Sequence, residues 1–359
     1  MSKILCLTDG FTLGGAERQL IGLAHFLMEK GYSVDLACYY EKNFYKDLIS
    51  QYGLNCITLK PKGRFGKFLE VKRLINEGSY NYVIAYKDGP TTMVSILKLF
   101  GLKAKVIVSE RNTTQALSIR ERLKFWCYRF ADFIVPNSYS QENFIVSNYP
   151  SYRDKTVTIT NFTDTDSFVP SGSQLERNTI EVIIAGRIAE QKNIMRFLDV
   201  VKFLKDRGTP YHFKWFGNVS AGEQEYESDV KQKWHQLGLE DMFEFLSATN
   251  NIKREYQECD AFCLPSLYEG YPNVVCEAMS CGKPILCSRI CDNPYIVEEG
   301  VNGFMFDPTD VNDIFDTLVR FSELTIDERY AMGFTSREIA VKKFSEESFV
   351  NKYIQLIDA

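Results

Sequence analysis

Residues 260–288 read DAFCLPSLYEGYPNVVCEAMSCGKPILCS. The run 260–264 is short, apolar and stopped by Pro265, as a buried strand is. Pro272 suits the first position of a helix, because it has no amide proton to leave unpaired there. A second apolar run, 284–288, follows. Strand, loop, helix and strand in about thirty residues form a βαβ unit with parallel strands.

The same alternation runs through the chain. Strands are predicted at 3–8, 33–39, 54–59, 81–86, 104–109, 132–136 and 155–160, and again at 180–185, 211–216, 242–246, 260–264, 284–288 and 303–306. Helical periodicity fills the gaps, notably over 16–30, with Gly31 as its C-cap. The segment 161–178, NFTDTDSFVPSGSQLERN, loses periodicity and gathers Asp, Ser, Pro and Gly, which predicts a linker. The fold class is therefore α/β, with two doubly wound, Rossmann-like domains. Their expected bounds are 1–165 and 166–344, with a last helix at 345–359 returning to the first. Ligands of such sheets bind at the carboxyl ends of the strands.

The chain has 359 residues, 45% hydrophobic and 25% charged, and no apolar run nears the ~18 residues that span a bilayer. The opening MSKILCLTDG lacks the pattern of an export signal, so a cytoplasmic location is expected. Ten cysteines include no C-x2-C pair, which predicts reduced, mostly buried thiols rather than a zinc site or disulfides. Charge is uneven: residues 1–165 carry 22 Lys and Arg against 15 Asp and Glu, leaving 20 against 32 for the rest. The first half suits an anionic partner better than the second.

Three stretches carry candidate chemistry. In 266–284, Glu269 precedes a helix start and Glu277 lies on the helix, about 7.5 Å along at ~1.5 Å per residue. The free amides of Asn273 and Val274 at that start, with the positive end of the helix dipole, suit a phosphate. Carboxylates repel phosphate, so the two glutamates would accept hydrogen bonds from hydroxyls on either side of it. A solvated loop residue and an ordinary helix glutamate would look the same in isolation. In IAGRIAEQKN, 184–193, Arg187 and Lys192 follow a buried strand and could neutralise a diphosphate. In TDGFTLGGAERQL, 8–20, Gly14 and Gly15 would let backbone amides approach a ligand, although a tight structural turn explains them as well.

Taken together, GGAERQL, NSYSQENF, NFTDTDSF, GRIAEQKN, CLPSLYEGYPNVVCEAMSCGKPIL and VEEGVNGFMFDPTD resemble, in order, the family 4 glycosyltransferases. These are retaining enzymes of the GT-B fold, two such domains facing across a cleft, with an E-x7-E motif that falls on Glu269 and Glu277 here. The resemblance implies transfer of a sugar from a nucleoside diphosphate sugar, with UDP-sugars the commonest donors. It places Arg187 and Lys192 on the donor diphosphate, Glu277 on the ribose and Glu269 on the transferred sugar. Gly270, Asn273 and Val274 would line the same loop and helix start, Leu246 and Ser247 would lie near the base, and Gly14 and Gly15 would close on the diphosphate. Many relatives carry a histidine after the strand 104–109, where this chain has Glu110, Arg111 and Asn112. Glu110 then becomes a candidate catalytic residue, and Arg111 and Asn112 candidates for the acceptor or sugar side. Without an evident base, the family's front-face mechanism is favoured, in which the leaving phosphate takes the acceptor proton.

Asp164, Thr165 and Asp166 spell D-x-D, a metal signature in a different glycosyltransferase fold, but they lie in the linker. No cofactor and no metal are expected. Basic and aromatic residues interleave in KPKGRFGKFLEVKR, 60–73, and RERLKFWCYRF, 120–130, which suits an anionic membrane surface and a lipid-linked glycan acceptor. The expected location is thus peripheral, on the inner face of the cytoplasmic membrane. Nucleic acid is disfavoured by the net charge of −5. A catalytically silent nucleotide-sugar-binding protein stays open, since the donor grip is intact while the histidine is missing. A dinucleotide-dependent oxidoreductase would need a glycine fingerprint that is absent.

Overall fold

The computed structural model describes residues 2–358 except 13, 42, 115, 173–176, 220–221 and the side chain of Arg64; part of the predicted linker lies outside the described residues. The chain divides into two compact units, one of residues 1–162 with 346–359 and one of 163–345. In the first, strands β1 (Lys3–Leu7), β2 (Ser33–Cys38), β3 (Asn55–Thr58), β4 (Tyr82–Tyr86), β5 (Lys105–Glu110) and β6 (Phe133–Pro136) form one sheet. Its helices are α1 (Gly15–Glu29), α2 (Lys46–Gln51), α3 (Gly63–Glu77), α4 (Asp88–Leu99), α5 (Ile119–Cys127) and α6 (Tyr139–Asn148). The second unit has β7 (Ile180–Ala185), α7 (Ile194–Arg207), β8 (Tyr211–Phe216), α8 (Gln224–Gln236), β9 (Phe243–Leu246) and α9 (Ile252–Glu258). It continues with β10 (Ala261–Leu264), α10 (Asn273–Ser280), β11 (Ile285–Ser288), α11 (Asn293–Ile296), β12 (Gly303–Phe306), α12 (Val311–Ser322) and α13 (Ile326–Phe344). Helix α14 (Glu346–Ile357) belongs to the first unit.

Every strand pairing is parallel, and the sheet orders are β3-β2-β1-β4-β5-β6 and β12-β11-β10-β7-β8-β9. In each sheet the order reverses beside the first strand, so a switch point lies between β1 and β4 and another between β7 and β10. The strands read as continuous apolar runs because both faces are covered. Ile4 and Cys6 of β1 enter one core and Leu5 and Leu7 the other. Val182 and Ile184 of β7 likewise part from Ile183 and Ala185. Helix α1 ends as its sequence suggests: Gly31 adopts φ 91°, and its amide donates to the Met28 carbonyl at 2.9 Å.

The strand predicted at 155–160 does not form. Residues Pro150–Lys155 make a 3-10 turn, and Thr156 forms only an isolated bridge to Ile134 of β6. The amides of Val157 and Ile159 donate to the Ile134 and Pro136 carbonyls, both at 3.0 Å. Continuing the ladder requires a returning N–H from residue 136, which is proline and has none.

Residues 163–168 of the predicted linker pack on the second unit. Asp164 caps a turn by accepting from the Ser167 amide at 2.8 Å, and Arg337 donates to the carbonyls of Thr165 and Phe168, both at 2.8 Å. This gives Asp164 and Thr165 a structural use. Eight of the ten cysteines are buried, and burial raises Cys259 to about 12. Among the described residues, no group of three or more His, Cys, Asp or Glu is placed to hold a metal ion.

Helix α14 lies on the first unit through Phe349, Val350, Tyr353, Leu356 and Ile357. Its polar anchor is Arg111, at the end of β5. The guanidinium lies over the Tyr86 ring at 4.2 Å and donates to the Tyr86 hydroxyl, to the Tyr353 hydroxyl at 2.9 Å and to Asn161 Oδ1 at 2.7 Å. Hydrogen bonds to a charged donor are worth about 1.5–3 kcal/mol each, partly retained when the tyrosines bond to one another. Arg111→Ala should therefore cost roughly 2–3 kcal/mol in urea unfolding, and the amides of α14 should lose hydrogen-exchange protection ahead of β1 and β4. Unaltered protection of α14 would show that its apolar face alone holds it.

Candidate functional site

The switch point of the second unit gathers the predicted donor residues. Strand β7 ends at Ala185, and the chain turns through Gly186 and Arg187 into a 3-10 turn, Glu190–Lys192. The turn is pinned on one side: the Ile188 amide donates to the Asn218 carbonyl at 3.1 Å, and Trp215 Nε1 donates to the Gly186 carbonyl at 2.9 Å. Gly217 has to lack a side chain, since a Cβ there would sit 1.9 Å from the Gly186 carbonyl oxygen. Arg187 itself is exposed at the carboxyl edge of the sheet.

On its other side this loop is stitched to the loop after β10. The Leu267 amide donates to the Gln191 carbonyl at 2.8 Å, and Gln191 Nε2 to the Tyr268 carbonyl at 2.7 Å. Asn193, in the left-handed region at φ 61°, is buried and donates from Nδ2 to the carbonyls of Pro265 at 3.1 Å and Pro308 at 2.8 Å. Asparagine tolerates that backbone conformation better than most residues, which is the signal its place in EQKN offered. Lys192 Nζ then meets Glu269 Oε1 at 2.5 Å, with both side chains 12% exposed. Two residues 77 positions apart thus share one ion pair beside the strands' carboxyl ends.

The helix start differs in detail from expectation. Pro272 is the N-cap and Asn273 the first helical residue. The Asn273 amide is turned back onto the Tyr271 carbonyl at 3.0 Å, so it is not free for a phosphate. Val274, at the second position, has no intrahelical acceptor for its N–H. Glu277 is half-buried on α10 and accepts from the hydroxyl of Tyr256 at 3.4 Å. Burial, reinforced by the charge of Glu277, pushes that hydroxyl well above its ordinary value and keeps it a donor. Gly270 occupies the bend before Tyr271. Leu246 ends β9 half-buried, its carbonyl accepting from the Gly217 amide at 2.9 Å, and Ser247 is exposed after it. Arg187, Lys192, Glu269 and the start of α10 therefore lie at one edge of the sheet, with Leu246 at the end of β9, two strands from β7, and Ser247 just after it.

In the first unit the candidates are mostly engaged. Gly14 caps α1, and a Cβ on it would lie 2.5 Å from the Glu17 carboxylate. Gly15 is the first residue of that helix. Glu17 is buried and accepts from Lys87 Nζ at 2.5 Å and Thr12 Oγ1 at 2.7 Å; Lys87 also reaches Asp9 at 2.9 Å. Burial works against the charged form of Lys87, but Glu17 and Asp9 outweigh it and raise its pKa. This cluster at the β1/β4 switch point was missed, because Asp9, Glu17 and Lys87 share no local motif.

Glu110 was expected at the reacting centre, but it lies inside the unit. Its oxygens accept from Lys124 Nζ at 2.6 Å and the Tyr128 hydroxyl at 2.7 Å, and it is 1% exposed. A carboxylate so enclosed positions β5 and α5 and has no face left for a substrate. Arg111 likewise engages its guanidinium with Tyr86, Asn161 and Tyr353, and Asn112 is exposed. His25 stacks on Tyr52 with ring centroids 3.9 Å apart.

Residues 169–337 match the family described as glycosyl transferases group 1, and residues 13–167 match Glycosyltransferase Family 4. An uncharacterized glycosyltransferase of Haemophilus influenzae is 25% identical over 346 residues, covering 93% of this chain and 95% of its own. A Campylobacter jejuni protein named as an α-1,4-N-acetyl-D-galactosaminyltransferase acting on a diphosphoundecaprenol-linked glycan is 26% identical, covering 78% of this chain and 77% of its own. The crystal structure of HepE from Anabaena in complex with UDP superimposes with a TM-score of 0.85 at 20% identity, covering 99% of each chain. With the GT-B fold present from end to end and the two family matches running in order from residue 13 to residue 337, the chain belongs to the family 4 glycosyltransferases and is a sugar-transferring enzyme.

Proposed function

We propose that this enzyme takes a sugar from a nucleoside diphosphate sugar, a UDP-sugar first, and transfers it with retention of configuration to a glycan or lipid-linked glycan during synthesis of a bacterial surface polysaccharide. The observation that carries the reading is the Lys192–Glu269 pair at the β7/β10 switch point, beside Arg187 and the start of α10. The UDP bound in HepE and the lipid-linked acceptor in the name of the Campylobacter relative support the choice of substrates.

In this reading the diphosphate lies against Arg187 and Lys192. A diphosphate is a stronger partner for Lys192 than one carboxylate, so binding would turn Glu269 toward the hydroxyls of the transferred sugar. Glu277, fixed by Tyr256, accepts from the ribose hydroxyls. The acceptor oxygen attacks the anomeric carbon on the face the diphosphate leaves. As the new glycosidic bond forms, the bond from the sugar to the phosphate oxygen breaks, and the acceptor proton passes to the departing phosphate. Arg187, Lys192 and the helix dipole stabilise the charge that develops on the leaving group, so the reading requires no metal. With Glu110 enclosed by Lys124 and Tyr128, it supplies no base, in keeping with the front-face route. No helix among the described residues is long and apolar enough to cross a membrane. We place the enzyme on the inner face of the cytoplasmic membrane, attached through the basic first unit.

Calorimetric titration with UDP, GDP, ADP and NAD should give selective binding of one nucleoside diphosphate. Glu277→Ala should weaken it about 10- to 100-fold, the worth of a charged hydrogen bond. Binding of NAD alone, or of nothing, would remove the transferase reading. Glu269→Ala should lower turnover of labelled sugar far more than it lowers nucleotide affinity, whereas Lys192→Ala should reduce both. Equal losses for Glu269→Ala would reduce that residue to a shaper of its loop.

A further inference from the structure

The cations and aromatics of the first unit are not spread evenly over its helices. On α5, Phe125, Cys127 and the buried stem of Lys124 face the core, while Ile119, Leu123 and Trp126 are 88%, 61% and 47% exposed. These three lie at i, i+4 and i+7, so the outward face of α5 carries an apolar stripe where a surface helix ordinarily carries charge. On α3, Phe65 and Leu69 are exposed in the same manner, one turn apart. Between the two helices runs an open groove of about 580 Å³, within the ~300–1,000 Å³ of small-molecule sites. Its floor is Thr92, Met93 and Ile96 of α4, and its walls are Phe68 and Leu123.

One end of this apolar channel is polar. Arg120 is highly exposed there, 3.5 Å from Asp88, which it shares with Lys124 at 3.2 Å. The charge of Lys124 is already taken by Asp88 and Glu110, so Arg120 is the cation that a phosphate would meet. Around it, residues 60–77 and 118–127 together hold nine basic residues against three acidic ones. An apolar trough ending at an arginine, within a basic surface, matches the polarity of a lipid phosphate.

We propose that the groove between α3, α4 and α5 receives the apolar chain of the lipid that carries the acceptor, with the lipid's phosphate against Arg120. The proposal rests on the lipid-linked acceptor reading and adds a site for the lipid itself, on a different unit from the donor residues.

Octyl, decyl and dodecyl phosphate, kept below micelle formation, serve as probes of the full chain, read by calorimetry and by the fluorescence of Trp126. Affinity should rise about fourfold per methylene as the chain is buried. Dodecyl phosphate should bind more tightly than dodecyl maltoside, and Arg120→Ala should remove that preference. Met93→Trp, which fills the floor, should abolish the chain-length dependence while leaving the melting temperature and UDP titration unchanged. Affinity independent of chain length, or unaffected by Met93→Trp, would overturn the groove. Equal binding of phosphate and maltoside would overturn the phosphate contact. Failure of UDP to bind while the alkyl phosphates behave as stated would instead sink the proposed transfer reaction and leave the lipid site standing.

Discussion

The second unit depends on a stitch between two loops that its topology sends apart. At the β7/β10 switch point one crossover leaves to each face of the sheet, so the loops after these strands diverge and open a crevice. Nothing in the sheet ladder holds the crevice walls together beyond the strand ends. The backbone bond from Leu267 to Gln191, the Asn193 amide and the Lys192–Glu269 pair do so. At 12% exposure neither charge is well hydrated, and removing either would strand the other in a poorly solvated place. The pair therefore shapes the loops and sets a cation and a carboxylate side by side at the edge where ligands of this fold bind.

The first unit repeats the topology and treats its switch point differently. There the crossing between β1 and β4 is occupied by the protein's own charges, with Lys87 shared between Asp9 and Glu17. A Cβ on Gly14 would meet the Glu17 carboxylate, which turns back over it. One strand further along, Glu110 is closed in by Lys124 and Tyr128, and Arg111 by two tyrosines and Asn161. A carboxylate whose two oxygens are both satisfied in the interior has little to offer a ligand, since turning outward would leave buried Lys124 with Asp88 alone and take the acceptor from the Tyr128 hydroxyl. The two sheets share one design, but only in the second does the crossing leave Arg187 exposed at the rim.

What could be read in the sequence and what could not divide along physical lines. The strands were legible because sheets covered on both faces demand continuous apolar runs, as in KILCL and IEVIIA. The exception, 155–160, has the right composition, and its pairing fails through a missing N–H on a neighbouring strand, at Pro136. The loops that carry Arg187, Lys192 and Glu269 were legible as cations and carboxylates at strand ends. That Lys192 touches Glu269, 77 residues on, was not, since local pattern carries no information on such distances. The enclosure of Glu110 was hidden for the same reason: its partners, Lys124 on α5 and Tyr128 just after it, lie further along the chain, and a carboxylate after a strand looks alike whether it faces a substrate or a buried lysine. Asn273 was misjudged by one backbone turn, since the chain bends onto Tyr271 before the helix begins.

Charge behaves differently at the two length scales involved. From residue 166 onward the chain carries 20 basic against 32 acidic residues, which taken as a whole should repel a diphosphate. Screening limits that repulsion, because exposed charges further away than about 8–10 Å contribute little at physiological salt. A diphosphate at the β7/β10 edge would feel Arg187, Lys192 and the dipole of α10 ahead of the distant acidic surface. A membrane is an extended object, and it responds to the summed charge of a face rather than to one site. The basic excess on α3 and α5 is of that extended kind, and it coincides with the helices whose apolar residues are exposed. The net charge of −5 conceals both effects, because each belongs to a separate part of the chain.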